Sequence, residues 1–178
     1  MKIITNVFLY IICILFFVVS CSNHKQQNNI QGIDKKKLDE SLENVNRIMI
    51  QHESDMIDEY VRNNNLRVIK TGTGLRYYIK NQGEGRDIVK GDIVTLKYEL
   101  SLLTGELIYS SENDGYKTFL VSKGGVERGL EEAILKLKKN SEAILILPSH
   151  LAHGLLGDGN KIPPKATLIY NIKIIEVK

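Results

Sequence analysis

The sequence predicts an α+β fold: an antiparallel β-sheet wrapped around one short α-helix, with an amphipathic helix placed N-terminal to it. Three observations predict it. Apolar residues recur at helical spacing between Asp34 and Asn63, the period shortens to strict alternation from Gly74 onward, and a single helical segment around Leu130 to Leu137 interrupts that alternation. The length of 178 residues, with 43% hydrophobic and 25% charged residues, fits one globular domain plus appendages. Formal net charge is +3, and basic residues alternate with acids along the whole chain, which argues against nucleic acid as a partner.

Residues 1–20 read as a targeting segment. Lys2 supplies a positive start, Val7 to Val19 form an apolar run shorter than the roughly 20 residues a spanning helix needs, and the run closes on Val18-Val19-Ser20-Cys21. That ending resembles a bacterial lipobox, which implies cleavage before Cys21, lipidation of its thiol and a lipid-held position on a membrane; an ordinary signal with an incidental cysteine is the alternative. Cys13 lies within the segment to be removed, so no disulfide is left to one mature chain and the fold must rest on its core. Residues 21–33 are polar and amide-rich, a flexible tether.

Residues 34–63 form the amphipathic helix, capped by Asp34, with Leu38, Leu42, Val45, Met49, Met56 and Tyr60 on one stripe that His52 interrupts. The stripe must be covered, either by its own domain or by the helix of a second copy in a homodimer. Residues 74–178 form the sheet domain. Leu75, Tyr77 and Ile79 alternate with Arg76, Tyr78 and Lys80, and Val94, Leu96, Tyr98, Leu100 and Leu102 alternate with polar neighbours. Thr104-Gly105 turns the chain into a strand from Leu107 to Ser110, and Thr118 to Val121 make another. The inner helix buries Leu130, Ala133, Ile134 and Leu137, with Glu131 and Glu132 at its start, Lys138 and Lys139 at its end and Asn140 closing it in a left-handed conformation. A strand from Glu142 to Leu147, a long loop from Pro148 to Pro164 and a last strand with Leu168, Tyr170, Ile172 and Ile174 on one face complete the domain.

Three segments, Gly105 to Ser111, Val126 to Ala133, and Pro148 to Gly154 followed by Ile162 to Leu168, resemble the FKBP-type peptidyl-prolyl isomerases in order and spacing. The resemblance covers about residues 77–178. It implies an FKBP-like domain that acts on Xaa-Pro bonds of polypeptide clients through an apolar pocket, with no cofactor and no metal. Carried over position by position, it implies Tyr98, Tyr170 and His153 as the catalytic residues and Val126, Ile162, Leu130, Ile108 and Tyr109 as the substrate-binding ones. Four of these depart from the family pattern: Ile108 stands for an aromatic, Tyr109 for an aspartate, Leu130 for a tryptophan and His153 for a tyrosine. The lipobox, the amphipathic helix and the run from Lys117 to Val121 are similar to those of the gliding-motility-associated FKBP lipoproteins of the Bacteroidetes. With basic and amide-rich residues following Cys21, that likeness implies an outer-membrane lipoprotein facing the periplasm.

His150 and His153 lie three apart with no third ligand nearby, so they do not suggest a metal site. The GLLGDG stretch from Gly154 to Gly159 lacks the Lys-Ser or Lys-Thr pair of a phosphate cradle and reads as a loop.

Overall fold

The computed structural model describes residues 35–178, so the expected leader, Cys21 and the tether lie outside the described residues. Within the described residues the chain divides after Ser41, and residues 42–178 form one compact unit. Helix α1 spans Lys35–Asn63, and its contacts described below begin in that unit. Seven strands follow: β1 Ile69–Lys70, β2 Arg76–Asn81, β3 Ile93–Leu102, β4 Leu107–Ser110, β5 Lys117–Leu120, β6 Glu142–Leu147 and β7 Leu168–Val177. A one-turn helix α2, Ser111–Asp114, sits between β4 and β5, and helix α3, Arg128–Ile134, between β5 and β6.

All pairings are antiparallel, in the order β1-β2-β6-β7-β3-β4, and β5 shares the β4 edge of β3. Strand β3 carries both because its ten residues offer two successive pairing segments: Ile93 to Leu96 meet β5, and Glu99 to Ser101 meet β4. Gly105, at φ 86°, makes the turn between β3 and β4 that a side chain would strain. The concave face closes on α3, where Leu130, Ala133 and Ile134 are buried together with Leu137, Leu96, Leu100, Leu145, Leu147, Leu168, Tyr170 and Ile172.

The sheet is buried on its other face as well, which explains the unbroken Ala143-Ile144-Leu145-Ile146-Leu147 run in β6. Ile146 and Ile169 pack there against Ile57 of α1, with Tyr60, Val61, Leu66, Val68, Leu103 and Ile144 around them. This corrects two expectations. The docked face of α1 is set by Ile57, whereas Leu42, Val45, Met49 and Met56 of the expected stripe remain 38–58% exposed. Arg76, expected on a solvated face, is 1% exposed because α1 covers it. All three of its nitrogens donate there: Nε to Asp58 Oδ1 at 2.8 Å, Nη1 to the Gly74 carbonyl at 2.9 Å and Nη2 to Ser54 Oγ at 2.8 Å.

Glu53, also on α1, accepts from the Ser149 N–H at 2.6 Å and Thr167 Oγ1 at 2.7 Å through Oε1, and from Ser149 Oγ at 3.0 Å through Oε2. One carboxylate therefore pins both ends of the loop between β6 and β7. Helix α3 ends at Ile134, short of the Asn140 expected from charge placement; Lys138 and Lys139 lie in the turn beyond it, and Asn140 does adopt φ 64°.

Candidate functional site

A cleft of about 310 Å³ opens beside the concave face, lined by Tyr98 and Leu100 of β3, Tyr109 of β4, Asp114 of α2, Lys117 of β5, Glu127 before α3, and His153, Asp158 and Ile162 of the long loop. A second hollow of about 300 Å³ shares Lys117, Glu127 and His153 and adds Gly125, Val126 and Ala152. The alternation of β3 explains its two entries: Tyr98 and Leu100 point inward two residues apart. Ser111 Oγ receives the Tyr98 N–H at 2.5 Å and donates to the Tyr98 carbonyl at 3.1 Å, which fixes that strand beside α2.

The walls are apolar and aromatic, but the floor is charged. Tyr170 lies fully buried under Tyr98, ring centroids 6.0 Å apart, and its hydroxyl donates to Glu127 Oε1 at 2.6 Å. Lys117 Nζ donates to Tyr170 Oη at 3.0 Å and rests 5.2 Å and 5.4 Å from the Tyr98 and Tyr170 ring centroids. It stands 3.6 Å from Glu127 Oε2, an ion pair beyond hydrogen-bond reach, and that buried oxygen has no hydrogen-bond partner. Burial pushes the Glu127 carboxyl up, yet the Lys117 charge, the Tyr170 hydroxyl and His153 outweigh it and hold the group below the usual glutamate range. Burial and the adjacent Glu127 charge push the Tyr170 hydroxyl far above the ordinary tyrosine value, so it remains a donor.

At the rim, Tyr109 Oη donates to Asp158 Oδ2 at 2.6 Å, while the N–H groups of Asn160 and Ile162 donate to Asp158 Oδ1 at 2.9 and 2.8 Å. Burial raises the Asp158 pKa, but these donors and His153 prevail and bring it to about 2. Tyr109 thus stands where the family pattern has an aspartate and holds the carboxylate of another residue at that spot.

Of the residues expected from the sequence, Tyr98, Tyr109, His153 and Ile162 come together in the cleft, and Val126 lines the adjoining hollow. Leu130 and Ile108, expected to touch substrate, are 0% and 6% exposed and belong to the core under the cleft, because α3 and β4 turn them toward the sheet. His153, expected among the catalytic residues, faces inward with Nε2 3.3 Å from Glu127 Oε1, because the buried carboxylate offers it an acceptor. His150 bonds the Thr73 carbonyl at 2.9 Å, so the two histidines serve different partners. Lys117, Glu127 and Asp158 were missed by the sequence reading. The signal for Lys117 was its parity with the inward Phe119 in β5; Glu127 carried none, since the residue before a short helix is ordinarily solvated.

The family model described as FKBP-type peptidyl-prolyl cis-trans isomerase matches residues 84–175, which includes every residue of this cleft. A probable FKBP-type isomerase FkpA of Neisseria meningitidis serogroup B is 42% identical over 108 residues, 60% of this chain and 39% of that protein. FK506-binding protein 1 of Debaryomyces hansenii is 36% identical over 102 residues, 56% of this chain and 90% of that protein. Among solved structures, that of AtFKBP13 aligns with a TM-score of 0.60 at 29% identity over 63% of this chain and 99% of that one. That of FkpA from Escherichia coli aligns at 0.63 over 89% and 74%, and at 23% identity it speaks for the fold alone. The chain spans 39% of the Neisseria relative and 53% of the Escherichia coli 22 kDa isomerase, about half or less of such relatives. A family model over more than half of the chain and a relative matched over 90% of its own length give one assignment: the chain belongs to the FKBP-type peptidyl-prolyl cis-trans isomerase family.

Proposed function

We propose that the protein is a peptidyl-prolyl cis-trans isomerase acting on Xaa-Pro bonds of polypeptide clients, with Tyr98, Tyr109, Val126, Ile162 and His153 as the groups that meet substrate. The observation that carries the reading is the cleft itself, walled by Tyr98, Leu100, Tyr109 and Ile162 and set within the matched domain. An amide's resonance imposes a rotation barrier of about 18–20 kcal/mol, and prolyl bonds turn unaided over tens to hundreds of seconds. In the twisted transition state the charge-separated resonance form is lost. Walls that keep water from the amide therefore favour the twisted state over the planar one, and no covalent intermediate is needed. Tyr170 and Leu130 support these walls from below. A protease-coupled assay of Xaa-Pro peptides with the purified chain tests the proposal: acceleration abolished by Tyr98→Ala supports it, and no acceleration on any peptide refutes it.

The charged floor favours a second reading, a proline-binding chaperone or envelope scaffold with weak turnover, because buried charge retains polar character where a twisted amide prefers none. Suppression of client aggregation without acceleration would select it.

The finer assignment is to the gliding-motility-associated FKBP lipoproteins of the Bacteroidetes, in the cell envelope on the periplasmic face of the outer membrane and held by lipid on Cys21. The sequence ending Val18-Val19-Ser20-Cys21 supports it, and membrane partitioning unchanged in Cys21→Ser would refute it. Pairing of two copies through residues 34–63 is supported by the exposed Leu42, Val45, Met49 and Met56. A monomeric mass at micromolar concentration would exclude it.

A further inference from the structure

The cleft holds more charge than rotation of a prolyl bond requires. Three carboxylates, Asp114, Glu127 and Asp158, line it against one ammonium, that of Lys117. Lys161 lies at the rim, 5.2 Å from the Tyr109 ring centroid and 3.5 Å from the Ile108 carbonyl, which offsets one of them without reaching the floor. Two carboxylates are bound by fixed donors: Asp114 takes the Ser110 N–H at 3.0 Å, and Asp158 is satisfied as described. Glu127 is different. Its side chain is 6% exposed, it faces both hollows, and Oε2 has no donor although Oε1 has two. A buried, ionised oxygen without a donor is costly unless a ligand supplies one.

We propose that the cleft is a subsite for a cationic side chain, so that its preferred polypeptide has lysine or arginine immediately before the proline, with Glu127 Oε2 as the acceptor. The proposal rests on the isomerase reading for the proline and adds the residue beside it. That residue shares the rotating amide with the proline ring, so its side chain is held close to the ring's seat against Tyr98. A long basic side chain seated in the cleft brings both charge and N–H donors toward Oε2, which Lys117, engaged with the Tyr170 hydroxyl, approaches to 3.6 Å without a hydrogen bond. Leucine would strand the oxygen, and glutamate would add a fourth carboxylate. Glu127 and Asp114 are therefore specificity-determining residues, distinct from the walls that serve turnover.

The experiment measures binding and turnover separately with the purified full chain and four peptides that differ only in Lys, Gln, Leu or Glu before proline. Lys-Pro is expected to bind about three- to tenfold tighter than Leu-Pro, the size of one charge-assisted hydrogen bond discounted for Lys117 nearby, with Glu-Pro weakest. The preference should shrink as salt rises from 0.05 to 0.5 M, roughly the range over which screening shortens below the width of the cleft. Glu127→Gln keeps the shape and should bring Lys-Pro and Gln-Pro to parity. Asp114→Asn, on an exposed residue, should reduce the preference partially, which keeps the proposal testable if the buried variant fails to fold. Leu-Pro or Glu-Pro binding as tightly as Lys-Pro in the wild type overturns the proposal, as does a Lys-Pro preference intact in a folded Glu127→Gln, in Asp114→Asn, or failure to bind any peptide. Turnover without preference sinks this proposal alone; preference in binding without turnover upholds it and sinks the isomerase reading alone.

Discussion

Glu53→Ala removes one side chain from α1 and releases the loop that completes the cleft 100 residues later in sequence, so its cost can be worked from the geometry. The carboxylate accepts three bonds, two on Oε1 from the Ser149 N–H and Thr167 Oγ1, and one on Oε2 from Ser149 Oγ. Ser149 and Thr167 are 9% and 5% exposed, so water cannot freely replace the lost acceptor. The stranded backbone N–H costs about 1–3 kcal/mol, and the two hydroxyls, which can rotate toward other acceptors, add up to about 1 kcal/mol each. A total of about 3 kcal/mol corresponds to a Tm lower by about 6–12 °C in a chain of this size. Glu53→Gln retains Oε1 for its two donors and presents an amide to Ser149 Oγ, so it loses mainly charge assistance, about 1 kcal/mol. Thermal unfolding gives the totals, and hydrogen exchange across residues 148–167 shows whether the loss is local. KM on Xaa-Pro peptides should rise more than kcat falls, since His153 and Ile162 lose their fixed positions. A Tm within 1 °C of wild type for Glu53→Ala, or equal losses for both variants, would refute the account.

The carboxyl of Asp158 is held at about 2 in the folded protein against 3.8 for an unperturbed aspartate, so its contribution is complete above about pH 4 and disappears as pH falls toward 2. Acid unfolding of Asp158→Asn followed by circular dichroism should accordingly show a shallower dependence in that window, and an unchanged acid limb would contradict it. At Gly129 in α3 an added Cβ would lie 2.6 Å from Leu147 Cγ and 3.1 Å from Leu151 Cβ, so Gly129→Ala should destabilise by about 1–3 kcal/mol despite alanine's higher helix propensity, read from the urea midpoint. Ile57→Ala leaves a cavity between α1 and the sheet where Ile146 and Ile169 now pack, and should cost about 2–5 kcal/mol, with faster hydrogen exchange in α1 ahead of β6 and β7.

How much of this was legible depended on whether a residue's environment was local. The strands Leu107–Ser110 and Glu142–Leu147 have the bounds expected from alternation and turn residues, because period and turn chemistry are properties of neighbouring positions. Tyr98, Tyr109, His153 and Ile162 were legible as a set only through the family pattern, and they do meet in one cleft. Arg76 and the docked face of α1 escaped the sequence for one reason: the alternation of β2 and the stripe of α1 each admit a solvated face, and only the docking of one on the other decides which face that is. The charged floor was illegible because Lys117 and Glu127 are ten residues apart and meet through Tyr170, another 43 residues on.

That floor sets the terms on which the cleft can work. A twisted prolyl amide is favoured by the loss of surrounding polarity, whereas Lys117, Tyr170 and Glu127 bring a chain of charge-assisted bonds to within one aromatic ring of it. The two coexist because the bonds are directed inward. Tyr170 Oη donates to Glu127 and accepts from Lys117, which spends the strongest donors and acceptors on one another, and the Lys117 ammonium rests against the Tyr98 ring at the cleft wall. What remains is one buried carboxylate oxygen without a hydrogen bond, on a side chain that lines the cleft. Removing Lys117 would therefore leave Glu127 buried without its nearest cation, a far larger change to the site than the loss of one surface lysine. On the proposed reading the walls and the floor perform separable tasks: Tyr98, Leu100 and Ile162 would act on the bond that turns, and Glu127 on the residue that precedes it.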